Sequence, residues 1–187
     1  MPAGIREQYE HIPKAVKVFV FRGVLLIVLW SLLYKWLLEP SGIPDMPMCH
    51  FFCHTTAGTM SLFYPACYVK GLTVFVNNWP VININPACNA LDLLVIYIGF
   101  MVCLPTGTRK ILRYALWGSL AILFFNYLRF VILSYMVLHK MPITNFAHHY
   151  IFTGQAYGFI FLLWRQYSKG YEWKPAADKT NDVGTLI

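Results

Sequence analysis

The chain alternates long apolar runs with short polar breaks, and four of the runs approach the length of a membrane span. About 20 apolar residues in a helix cross the hydrocarbon core of a bilayer. The first run extends from about Val16 to Leu38 and closes at Glu39-Pro40-Ser41-Gly42-Ile43-Pro44, where proline and glycine interrupt a helix. The second runs from about Ala87 to Leu104 and stops at Pro105-Thr106-Gly107; the third covers about Ile111 to Leu138 and the fourth about His149 to Tyr167. The pattern predicts an all-α integral membrane protein: a bundle of about four transmembrane helices in one domain over residues 1–170, followed by a polar cytoplasmic tail, 171–187.

The stretch between the first two spans has a different pattern. Cys49 to Tyr68 is moderately apolar but holds Gly58, Pro65 and several hydroxyls. It reads as a fifth span or as a partly embedded outer helix, and the charge balance of the loops favours the outer helix. Leu72-Thr73-Val74-Phe75-Val76 and Val81-Ile82-Asn83-Ile84-Asn85 flank Asn77-Asn78-Trp79-Pro80. β-Branched runs around a turn predict a short hairpin.

Composition agrees with a bilayer setting. The chain has 187 residues, of which 58% are hydrophobic and 12% charged; soluble domains carry about 25% charged residues. The first run starts late and lacks a small-x-small cleavage site, so it reads as a retained span. The net charge of +7 does not call for nucleic acid, because the basic residues gather at the ends of apolar runs, beside anionic lipid. Arg6, Lys14, Lys17 and Arg22 flank the first span, Arg109, Lys110 and Arg113 the turn after the second, and Arg165, Lys169, Lys174 and Lys179 the end of the fourth. The intervening loops carry only Lys70 and Lys140, and Lys35 can snorkel. The positive-inside rule then places both termini in the cytoplasm of a multi-pass inner-membrane protein.

Against that background a few polar residues stand out. Cys88, Arg129 and the pair His148-His149 lie in or at the ends of apolar runs. An arginine at bilayer depth costs roughly 2.5–3.5 kcal/mol on insertion scales, so it must face the bundle interior. Pro86 favours a helix start, which would put Cys88 at a helix N-terminus, where the dipole lowers a thiol pKa and backbone N–H groups can hold an oxyanion. Asp92 lies one turn further on and is the obvious partner for Arg129; Asn126 shares the helical face of Arg129. A histidine near Cys88 can take its proton and return it to a leaving amine. The bland alternatives are an inert buried thiol, a structural Asp92–Arg129 pair, and interfacial histidines without a role. Cys49-His50-Phe51-Phe52-Cys53-His54 could suggest zinc or haem, but the spacing fits neither. No metal or cofactor is expected.

Ala87-Cys88-Asn89-Ala90-Leu91-Asp92, Asn126-Tyr127-Leu128-Arg129 and His148-His149-Tyr150-Ile151-Phe152 together resemble the exosortase/archaeosortase family, over about residues 85–164. Cys88-Asn89-Ala90 stands where the commoner pattern is Cys-Ser-Gly, which marks a divergent subfamily. The resemblance implies an intramembrane cysteine protease or transpeptidase at the outer face of the cytoplasmic membrane. Its partners would be exported proteins with a C-terminal sorting signal of motif, transmembrane helix and basic tail. Cys88 would be the nucleophile, Arg129 the oxyanion or substrate stabiliser, and His149 or His148 the acid/base, with a slight preference for His149. Asn89, Asp92 and Asn126 would line the substrate-binding surface. The competing readings are a transporter in which Asp92, Asn126 and Arg129 line a polar path, and a scaffold for cell-surface polymer export in which they act as interhelical glue.

Overall fold

The computed structural model describes residues 14–104 and 106–169. Arg6, Lys174, Lys179, Pro105 and the tail 171–187 lie outside the described residues. The chain is mostly helical, with one three-stranded sheet. Five longer helices form the frame: α1 (Lys14–Leu33), α2 (Asp45–Ser61), α3 (Leu91–Cys103), α4 (Thr108–Leu138) and α5 (Phe152–Ser168). Among the described residues, two stretches are long and apolar enough to cross a membrane, Val16–Ser41 and Thr108–Leu138.

The first apolar run does not end at Glu39. A π-helical turn, Tyr34–Leu38, follows α1, and one more helical turn, Glu39–Ser41, carries Pro40. The N–H of Glu39 reaches back to the carbonyl of Tyr34. This wider turn shifts the hydrogen-bond ladder just before the residue that lacks a donor, so proline is accommodated. Gly42, at φ 66°, then closes the helix in the left-handed conformation.

The second apolar run is shorter as a helix than its composition suggests. α3 has 13 residues, about 20 Å at 1.5 Å per residue, against a hydrocarbon core of about 30 Å. Residues 86–88 form a 3-10 turn and Ala90 sits at φ 68° in the left-handed region. The apolar character therefore continues through a loop, and the loop holds Cys88.

α3, α4 and α5 pack around Tyr97, Met101, Ile122, Ile160 and Tyr167, all buried. The Tyr97 hydroxyl donates to the carbonyl of Tyr114 (2.8 Å). The close approach requires Gly118, because a Cβ there would lie 2.0 Å from that hydroxyl. α1 lies outside this core. It touches α3 through an edge contact of Phe19 with Phe100 and through Leu26, which occupies the space a Cβ on Gly99 would need. The rest of α1 is largely exposed apolar surface, including Phe21, Ile27 and Leu29, as a lipid-facing helix would be.

The segment between α1 and α3 forms an outer layer. β1 (Cys67–Lys70), β2 (Thr73–Val76) and β3 (Trp79–Asn83) make an antiparallel meander. β2 and β3 are the expected hairpin, but Trp79 and Pro80 belong to the strand; the turn is Asn77-Asn78 alone, both at positive φ. Two such residues give the turn whose twist matches a hairpin. β1 lies in the stretch read as the end of the outer helix, which stops at Ser61. The sheet covers α2 and the C-terminal half of α4 over Cys49, Phe52, Cys53, Val74, Ile84 and Phe130.

Candidate functional site

Where the outer layer meets the bundle, a cavity of about 230 Å³ opens between the start of α3, the middle of α4 and the start of α5. Cys88, Asn89, Asp92, Asn126, Arg129, Thr153 and Tyr157 contribute to its wall. A smaller void of about 30 Å³, bordered by Asn126, Arg129 and Gln155, shares two of these wall residues and has room for a water molecule.

Cys88 is half-buried and closes the 3-10 turn. It precedes the first turn of α3 by three residues and does not belong to it. Its N–H is bonded to the carbonyl of Asn85 (2.9 Å), and that of Asn89 to Pro86 (3.4 Å). These two amides are therefore engaged in the turn, and the oxyanion donors expected of them must come from elsewhere. Cys49 and Cys53 are buried and all five cysteines are free. Burial, and then the neighbouring Asp45 carboxylate, push the Cys49 thiol up to about 11. Burial likewise raises Cys53 and Cys67, which leaves them poor thiolates.

Arg129 brings further donors to the same cavity. Its Nη2 donates to Nε2 of His148 (3.2 Å), while its Nε is buried without a partner. A buried N–H left unpaired costs about 1–3 kcal/mol, which a ligand oxygen would relieve. Because the guanidinium only donates, His148 Nε2 accepts, and the neutral ring carries its proton on Nδ1. His148, half-buried, thus touches Arg129; His149 is exposed. The two rings meet edge to face at 4.9 Å.

The three residues expected to bind substrate have intramolecular partners. Asn126 Nδ2 donates to the Cys88 carbonyl (3.0 Å), tying the Cys88 backbone to α4. Asn89, 1% exposed, donates to Asp45 (2.5 Å) and accepts the N–H of Leu91 (2.9 Å). Asp92 does not pair with Arg129; it accepts from the Trp30 indole of α1 (3.3 Å). Both charges border the same cavity without meeting. Two wall residues, Thr153 and Tyr157, were not legible in sequence as site residues, although their spacing of four puts them on one face of α5. Asp45 and Tyr34, which support Asn89, were also missed. His50 and His54 are exposed, while Cys49 and Cys53 point into the core. Among the described residues no group of three or more metal-ligating side chains comes together.

Ala90 occupies a left-handed position, which costs an L-residue with a Cβ about 1–2 kcal/mol. Ala90→Gly is expected to stabilise the fold by about 1 kcal/mol, read as a higher thermal midpoint in detergent.

Burial, then the Arg129 charge and then His149, lower the pKa of His148, just before the last predicted span. The folded chain thus takes up this proton at lower pH than the unfolded chain does. The unfolded state binds more protons as pH falls through the ordinary imidazole range near 6.5, and the folded state loses stability there. The thermal midpoint should drop between about pH 7.5 and 5.5, and by less in His148→Gln; an equal drop in both would remove His148 as the cause.

No family model matches the chain, and comparisons with curated proteins and with solved structures find no match.

Proposed function

We propose that the protein is a multi-pass membrane cysteine peptidase or transpeptidase of exosortase type, with both termini cytoplasmic and its site near the outer leaflet. Its substrates are exported proteins carrying a C-terminal motif, a transmembrane helix and a basic tail. The observation that carries this reading is Arg129: it shares a cavity with Cys88, contacts His148, and keeps one buried N–H without a partner. The ordered Cys88, Arg129 and His148-His149 motifs add the family resemblance.

The chemistry follows from those groups. The Cys88 proton passes to the imidazole, whose Nε2 lone pair becomes available once the guanidinium turns to a substrate carbonyl. The thiolate attacks the carbonyl carbon, and the tetrahedral oxyanion is held by Arg129. The C–N bond then breaks, the amine leaves with the proton from histidine, and a thioester remains on Cys88. Water or another nucleophile attacks the thioester and releases the sulfur, which regains a proton.

α4 and the first apolar run supply two spans by length; α3 and α5 complete a four-span bundle with the cavity recessed from the outer surface. The test is reconstitution in liposomes with reporters built from neighbouring coding sequences that end in a short motif, an apolar helix and Arg/Lys. Cleavage of a reporter with a hydroxylamine-sensitive adduct on Cys88 is expected. Intact reporters and an unmodified thiol throughout the set would end the proposal.

A second reading, a transporter or scaffold component of cell-surface polymer export, draws on the internal bonding of Asn89, Asn126 and Asp92, which is how polar residues join membrane helices. It requires that polymer export survive Cys88→Ala.

A further inference from the structure

One buried ionisable group takes no part in that chemistry. Asp45 is the first residue of α2 and only 3% exposed. Its carboxylate accepts from Asn89 Nδ2 (2.5 Å) and from the Tyr34 hydroxyl (3.0 Å), so it joins the end of the first helix, the outer layer and the loop beside Cys88. A buried carboxylate is tolerated only with such donors.

The loop it grips is unusual. Ala90 is left-handed, and Asn89 uses its carbonyl oxygen to hold the N–H of Leu91. Cys88 is held from the other side by Asn126. The loop is thus clamped between α2 and α4, and the two clamps meet at adjacent residues. Without the Asp45 clamp, the α2 side offers the Asn89 side chain only the Cys49 thiol, a much weaker hydrogen-bonding partner than a carboxylate. Cys88 already packs against the apolar cluster that includes Phe52, Val74 and Ile84, so a thiol released from the cavity would settle more deeply against that apolar side.

We infer that Asp45 is a positioning residue that, through Asn89, keeps the Cys88 thiol turned into the cavity; this rests on Cys88 being the nucleophile. The role is separable from fold stability by direction. Loosening a fold exposes a thiol and speeds its alkylation, whereas turning Cys88 into the core slows it.

The experiment measures maleimide alkylation of Cys88 in the full chain in detergent, in a Cys67→Ser background that removes the other half-buried thiol. It needs no substrate, so its failure is distinct from a failure to cleave reporters. Asp45→Asn is expected to slow alkylation about five-fold or more. The exchange Asp45→Asn with Asn89→Asp rebuilds the same hydrogen bond with donor and acceptor reversed, and should return the rate to within about two-fold of the parent. Tyr34→Phe, which leaves the bond to Asn89 intact, should also stay within about two-fold. An unchanged or faster rate in Asp45→Asn overturns the proposal, as does a slow rate persisting in the exchange. If Asp45→Asn alone is not recovered folded, the exchange decides: a parent-like rate supports the clamp, and any other rate refutes it.

Discussion

Cys88→Ala should abolish reporter cleavage, by at least about 10³-fold, while the protein still inserts and melts like the parent. Losing the nucleophile of a triad-like site removes the covalent route entirely, and what remains is the smaller contribution of substrate binding and oxyanion contacts. The fold should tolerate the change, because Cys88 is half-buried and its loop is held through backbone and neighbours: Asn126 on the Cys88 carbonyl and Asp45 on Asn89. Cleavage by the variant at the parent rate would show that the sulfur is a bystander. Rescue by another cysteine is not expected, since Cys49 and Cys53 face the core and their thiols are raised by burial.

Arg129→Lys should be nearly as damaging, lowering turnover about 10²- to 10³-fold, the usual consequence of removing one oxyanion donor. The substitution keeps the charge but not the geometry. Arginine here reaches His148 with Nη2 and keeps a second, buried donor on Nε. A lysine ends in one ammonium and cannot fill both places. The loss should fall on turnover more than on substrate affinity, because the bond strengthens as the oxyanion forms. If Arg129→Lys retained full turnover, the guanidinium would be a structural cation only.

The apolar runs were readable because lipid-exposed helices advertise themselves by length and composition, as α1 and α4 do. Their ends were less so. Pro40 suggests a stop, but the π-helical turn before it lets the helix continue, and that turn has no residue signature. Ala87–Leu104 is apolar apart from Asn89 and Asp92, yet the left-handed Ala90 divides it; a methyl side chain conceals a backbone that glycine would have revealed. β1 was absorbed into the outer helix because Cys67-Tyr68-Val69-Lys70 is short, and its partner strand, not its own pattern, makes it a strand.

The site was legible where side-chain chemistry conflicts with an apolar setting. Cys88, Asn126 and Arg129 stand out for that reason, and they gather at one cavity. Pairwise partners were not legible. Asp92 looked like the counterion of Arg129 and instead holds Trp30, because the start of α3 presents it toward α1. Of the adjacent histidines, the π-helical turn Ala147–Ile151 sets which ring meets Arg129, and a one-residue choice of this kind depends on tertiary geometry. Asp45 sits in a proline-rich segment that looks like a simple connector; its importance comes from Asn89, 44 positions away.

The brevity of α3 sets a reach requirement for any polypeptide processed here. In the proposed topology, a helix of about 20 Å rising from the inner surface of a hydrocarbon layer of about 30 Å would leave the sulfur several ångströms short of the headgroups. A full-length substrate helix would carry its own first turns past that level, with every carbonyl locked in the helical ladder. Under the proposed function the scissile carbonyl would therefore lie on an uncoiled stretch that dips inward, so helix-breaking residues just ahead of the substrate's anchor become a condition of cleavage.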